Sequence, residues 1–139
     1  MTTRSRFTMP MLAPLVVLSC QSATEPAQLP VVLATQPALA GSLPATIHVD
    51  GARIVIRGIV GTPDPCYSFA ARALTRADTL DVRLEAQSTG VTCIQIPGSF
   101  RYDLTVQAVP SGTWWVRLGA SRRGSPAITQ LVAGPVTVP

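Results

Sequence analysis

The chain has 139 residues, of which 13% are charged and 47% apolar, which is room for one ordinary domain. Eleven basic residues, all arginine, stand against seven acidic ones for a net charge of +4, and Arg4 and Arg6 at the start account for part of that. An excess this weak and this scattered excludes a nucleic-acid surface as the organising feature.

Residues 1–19 have the layout of an export signal. Arg4 and Arg6 give a positive start, and Met9 to Leu18 give an apolar core. That core is too short to cross a hydrocarbon layer, which takes about twenty helical residues. The segment ends Val17-Leu18-Ser19-Cys20, with polar residues immediately after. This resembles the lipobox of bacterial lipoproteins, with Val17 where leucine is usual and Leu18 in the next position. The resemblance implies that Cys20 is lipidated and becomes the new N-terminus. The protein would then sit in the bacterial cell envelope, on the periplasmic or outer-membrane side, with the membrane as a partner through its lipid. Each buried methylene of such an anchor contributes about 0.8 kcal/mol, so several acyl chains hold firmly where one does not. Two other readings exist. Ala38-Leu39-Ala40 has the A-x-A form of an ordinary cleavage site but lies far from the apolar core, and Cys20 could be a plain buried thiol.

Residues 20–44 carry Pro26, Pro30, Pro37 and Pro44 among small and polar residues and read as a semi-extended tether. Val31-Val32-Leu33-Ala34 within it could pack as an edge strand. From residue 45 onward the pattern has period two. Ile47 and Val49 alternate with His48 and Asp50, and Asp50-Gly51 signals a hairpin. Ile54, Ile56 and Val60 share a face; so do Tyr67, Phe69, Ala71 and Ala73. Leu80, Val82, Leu84 and Ala86 alternate with Asp81, Arg83, Glu85 and Gln87 as a half-buried strand does. Ile94 and Ile96 suggest a short strand. Phe100, Tyr102, Leu104, Val106 and Ala108 line one face of the next. Beyond Pro110-Ser111-Gly112, Trp114, Val116 and Leu118 oppose Trp115 and Arg117. A last apolar stretch from Ile128 to Val138 is interrupted by Pro135.

Seven or eight short strands with turn signals between them predict an all-β, antiparallel, Ig-like β-sandwich over residues 45–139. The stretch YDLTVQAVPSGTWWVRLGA, from Tyr102 to Ala120, is similar to the closing hairpin of bacterial Ig-like and prealbumin-like domains, which supports the fold class and implies no activity.

Three cysteines are an awkward number outside the cytosol. With Cys20 lipidated, Cys66 and Cys93 remain and can close one disulfide, which the chain-entropy model values at roughly 3 to 4 kcal/mol. Alternation turns both cysteines away from the core, so the bridge would staple strand ends on the outside. Together with His48 they offer too few ligands for zinc. No metal or cofactor site is expected.

His48 is the sole histidine, so a Ser-His-Asp or Cys-His apparatus would have to use it; its place beside a turn makes it a surface residue instead. The carboxylates of Asp78, Asp81, Glu85 and Asp103 could supply an acid/base pair, but their interleaving with Arg83 and Arg101 reads as cross-strand ion pairing. No catalytic residue is assigned. The one aromatic lure is Trp114-Trp115: strand neighbours point to opposite faces, so Trp114 belongs to the core and Trp115 faces outward beside Arg117. Trp115 and Arg117 form the candidate binding surface, for a protein or a glycan. The first expectation is therefore a non-enzymatic envelope lipoprotein presenting a binding or structural module. A carbohydrate-binding module built on Trp115 is the alternative, and a small envelope hydrolase is a third.

Overall fold

The structure, a computed structural model, describes residues 26–39, 41 and 43–139. The signal-like segment and Cys20 lie outside the described residues. Nine strands follow one another: β1 Ala27–Leu29, β2 Val31–Pro37, β3 Thr46–Asp50, β4 Arg53–Thr62, β5 Tyr67–Arg76, β6 Thr79–Ser88, β7 Gly98–Val106, β8 Gly112–Arg122 and β9 Ile128–Val138. They build a sandwich of a five-stranded sheet, β1-β5-β6-β8-β9, and a four-stranded sheet, β2-β7-β4-β3. The period-two pattern explains the layering. Ile54, Ile56, Leu80, Val82, Leu84, Tyr102, Leu104, Val106, Val116 and Leu118 are buried between the sheets, while the residues between them face outward.

Four features differ from the sequence expectation. The tether does not extend to residue 44. Residues 27–29 pair with β5 and residues 31–37 with β7, with Pro30, which has no N–H to donate, at the point where the chain passes from one sheet to the other. Val31 and Leu33 face the core, and burying them explains why this proline-rich stretch orders. Second, β6 and β8 are parallel neighbours; the other pairings are antiparallel. Tyr102–Ala120 is therefore not a hairpin. Ala108 at φ 53° and Gly112 at φ 139° turn the chain across to the other sheet, and Ala108 is exposed rather than in line with Val106.

Third, Ile94 and Ile96 form no strand and are 63% and 55% exposed. Residues 89–97 cross from one sheet to the other, so alternation there has no ladder neighbour to give it meaning. Fourth, Pro135 does not interrupt β9. This strand is at the sheet edge, where a missing N–H is tolerated.

The strand directions define two ends. At the hairpin end are the turns at Gly51-Ala52 and Ala77-Asp78, the 107–111 connection, the start of β1 and the end of β9. At the open end are the connections 63–66, 89–97 and 123–127. The Asp-Gly signal is placed one residue early: Asp50 is the last strand residue, opposite Arg53, and Gly51 supplies the positive φ of 57°. Tyr102 sits opposite Gly58 on β4. A Cβ at Gly58 would lie 2.7 Å from the phenol Cζ, so the ring occupies the space that glycine leaves free. The Tyr102 hydroxyl is buried without a hydrogen-bond partner, and burial raises its pKa from 10.0 to about 12.

Candidate functional site

Cys66 and Cys93 are bonded, with Cα atoms 6.0 Å apart, inside the range a disulfide spans. The bridge ties the start of β5 to the connection before β7 at the open end. Asp64 joins both cysteines in a cluster whose ligand atoms lie within 4.8 Å of one another. The sulfurs are consumed by their own bond, and Asp64 Oδ1 accepts the Cys66 backbone N–H at 2.9 Å; the arrangement is a turn closed by a staple. A disulfide is compatible with an extracytoplasmic location.

Trp115 and Arg117 lie together on the outer face of the five-stranded sheet, two residues apart on β8. Trp114 packs against the core, and its indole N–H donates to the Pro110 carbonyl at 2.9 Å. Trp115 is 47% exposed, flanked by Thr79 on β6 and Pro135 on β9. Arg117 faces Asp81 across the parallel pair. Its Nε donates to Oδ1 at 2.9 Å and its Nη2 to Oδ2 at 3.0 Å, the planar fork that only arginine makes. The carboxylate thus fixes the orientation of the guanidinium. Its remaining N–H groups stay free to donate outward.

Two residues further along β8, Gly119 has Arg83 as its neighbour on β6 and Gln130 on β9. β9 shifts register between the partners of Leu118 and Gly119. A Cβ at Gly119 would come 2.6 Å from Ile128 Cγ2, so any larger residue there would displace Ile128. The missing side chain leaves a shallow depression of about 210 Å³ lined by Asp81, Arg83, Arg117, Ile128 and Gln130. Indole, fixed fork and depression thus follow one another along a single strand. Gly119 and Gln130 were not singled out in the sequence, and Arg83 only as an ion-pairing partner for the carboxylates; glycine inside an alternating strand was the available signal, and the neighbours needed the parallel register.

Asp81, Glu85 and Asp103 do not assemble into an acid/base pair. Asp103 is on the other sheet, accepting from Arg57 Nε at 2.6 Å. Asp81 and Glu85 are four residues apart on one strand, roughly 13 Å at ~3.3 Å per residue, wider than the ~5 to 9.5 Å of glycosidase pairs. Asp50 on the β3 edge bonds Arg53, and His48 is exposed on the outer face of β3.

A second concavity of about 510 Å³ opens between the sheets at the open end. Val60, Thr62, Tyr67, Ala86, Ala120 and Leu131 are among its lining, with Arg122 also on its wall. Compared with known protein families, curated protein sequences and solved structures, the chain matches none.

Proposed function

We propose that this chain is a non-enzymatic cell-envelope lipoprotein that presents a β-sandwich binding module, with the Trp115–Arg117 face as its contact surface. The bidentate Arg117–Asp81 fork beside a half-exposed Trp115 carries the reading. Recognition sites favour an amphipathic aromatic next to polar groups already fixed in orientation, because little side-chain entropy remains to be lost on binding. The separation of Asp81 from Glu85 and the engagement of Asp81 and Asp103 by Arg117 and Arg57 favour binding over hydrolysis. The lipobox-like end at Cys20 and the Cys66–Cys93 disulfide favour the envelope.

A glycan is the second reading, favoured by one observation. Trp115 and the depression over Gly119 lie four residues apart on one strand, roughly 13 Å, which suits a few linked sugar rings: one stacked on the indole, the next over the fork, the last in the depression. The test is membrane fractionation combined with glycan-array binding of the full chain, for wild type, Cys20→Ala and Trp115→Ala. The expected result is membrane association lost in Cys20→Ala and glycan signal lost in Trp115→Ala. A soluble wild-type protein with unmodified Cys20 overturns the lipoprotein assignment, and glycan binding indifferent to Trp115→Ala overturns the contact surface.

A further inference from the structure

The cleft at the open end exists because β3 is short. β4 runs ten residues and β3 only five. Their pairing stops at Thr46 opposite Arg57, whereas β4 continues against β7 to Thr62. Beyond Arg57, β4 therefore has a strand neighbour on one side alone among the described residues. The described residues that precede β3 form no strand there: Leu43 and Pro44 line a separate hollow with Arg57, Gly58, Arg101 and Asp103, which leaves Val60–Thr62 to the slot. On the facing sheet β9 continues past this point, with Ile128 opposite Ser121 of β8. The result is a slot bounded by the unpaired side of β4 and by Thr129 and Leu131 of β9.

Two properties of the slot say what fits it. An unpaired strand edge presents N–H and C=O groups that only another extended backbone satisfies in register; a sugar or an acyl chain cannot repeat that ladder. The floor is apolar and small in the middle, Val60, Ala86 and Ala120, which leaves room for alternate side chains of an incoming strand. Charge completes the description. Alternation along β8 places Arg122 on the same side as Ala120, toward the gap between the sheets, and among the described residues it is the only charged one in the slot lining. Its neighbour Arg123 is turned away and donates from Nη1 to Gln87 Oε1 at 2.7 Å.

We propose that the slot between β4 and β9 accepts an extended segment of a partner protein as an added strand along Val60–Thr62, with small apolar side chains directed inward and a carboxylate on Arg122. This site is distinct from the Trp115 face and lies on the opposite, inner face of the five-stranded sheet. It does not depend on the glycan or lipoprotein readings.

The probe is a fluorescein-labelled heptapeptide of alternating valine and threonine ending in aspartate, measured by fluorescence polarisation against the full chain. The comparison peptides end in lysine, or carry N-methyl groups on the amides of one edge or of the other. Binding is expected to weaken about tenfold in Arg122→Glu, to be lost in Ala120→Leu, which fills the floor, and to stay unchanged in Arg123→Glu and Trp115→Ala. N-methylation is expected to abolish binding on one edge of the peptide and leave it intact on the other, and the lysine peptide is expected to bind more weakly. Far-ultraviolet circular dichroism of Ala120→Leu shows that it is folded; should it not fold, Arg122→Glu and the N-methyl pair decide. Absence of peptide binding, binding equally tolerant of N-methylation on both edges, or displacement of the peptide by dodecanoate with direct binding of that acid and no N-methyl dependence overturns the proposal.

Discussion

At the hairpin end, three short connections draw the strands together and the core runs to the edge. Val109 and Val138 are buried there, the Val109 N–H donates to the Ala52 carbonyl, and the Trp114 indole closes over Pro110. At the open end Phe69 and Phe100 pack edge to face, but on the β9 side the inward positions are small, Ala86, Ala120 and Thr62, a cleft remains between the layers, and Val91, Ile94 and Ile96 are exposed. Packing closes the first end, whereas a covalent bridge secures the second. The difference teaches that a small sandwich need not be uniformly filled: where side-chain volume is withheld, a disulfide supplies the order that burial supplies elsewhere.

The comparison can be broken most decisively at the staple. Cys66→Ser with Cys93→Ser is expected to lower stability by roughly 3 to 4 kcal/mol, and limited proteolysis is expected to cut first within residues 89–97. Cleavage at the hairpin end instead would show that the bridge serves the whole fold evenly. Next in size is Trp114→Ala. Loss of the indole from the closed end is expected to cost about 3 kcal/mol in thermal or denaturant unfolding, while Trp115→Ala, one residue along on the outer face, is expected to stay within about 1 kcal/mol of wild type. The reverse order would invert the face assignment of β8.

Midway between the ends, Tyr102→Phe removes a buried hydroxyl that has no partner. It is expected to be neutral or to stabilise by about 1 kcal/mol. The same group sets an alkaline limit. Desolvation raises its folded pKa to about 12, so as pH rises above 10 the unfolded chain loses this proton first and unfolding is favoured. Wild-type stability is expected to fall between pH 10 and about 12, and Tyr102→Phe is expected to lose that part of the decline.

Much of this was legible from alternation alone. Leu80 to Ala86 and Phe100 to Val106 reveal their inner faces because one side is apolar and the other is not. The cysteine pair was legible because removing Cys20 leaves two. Other features depend on partners far away in sequence. Nothing local in Val31–Pro37 tells that β7 lies beside it, and the parallel pairing of β6 with β8 needed the chain to cross between sheets at Ala108. Ile94 and Ile96 misled for the converse reason: they alternate without a neighbouring strand. At the candidate site, Trp115 and Arg117 were visible as an exposed pair, but the fork to Asp81 and the hollow over Gly119 belong to the register between strands.

The division of the first ordered segment at Pro30 has a mechanical consequence. β1 and β2 both run away from the hairpin end, one antiparallel to β5 and the other to β7. Inter-strand hydrogen bonds stand perpendicular to the strands. A pull applied at Ala27 against a load held at the opposite end therefore acts along the strand axes. It strains the rungs of each ladder together in shear instead of peeling them one by one, and it divides the force between both layers. The segment that reads as slack line in the sequence is, in the folded protein, the clamp through which tension would enter.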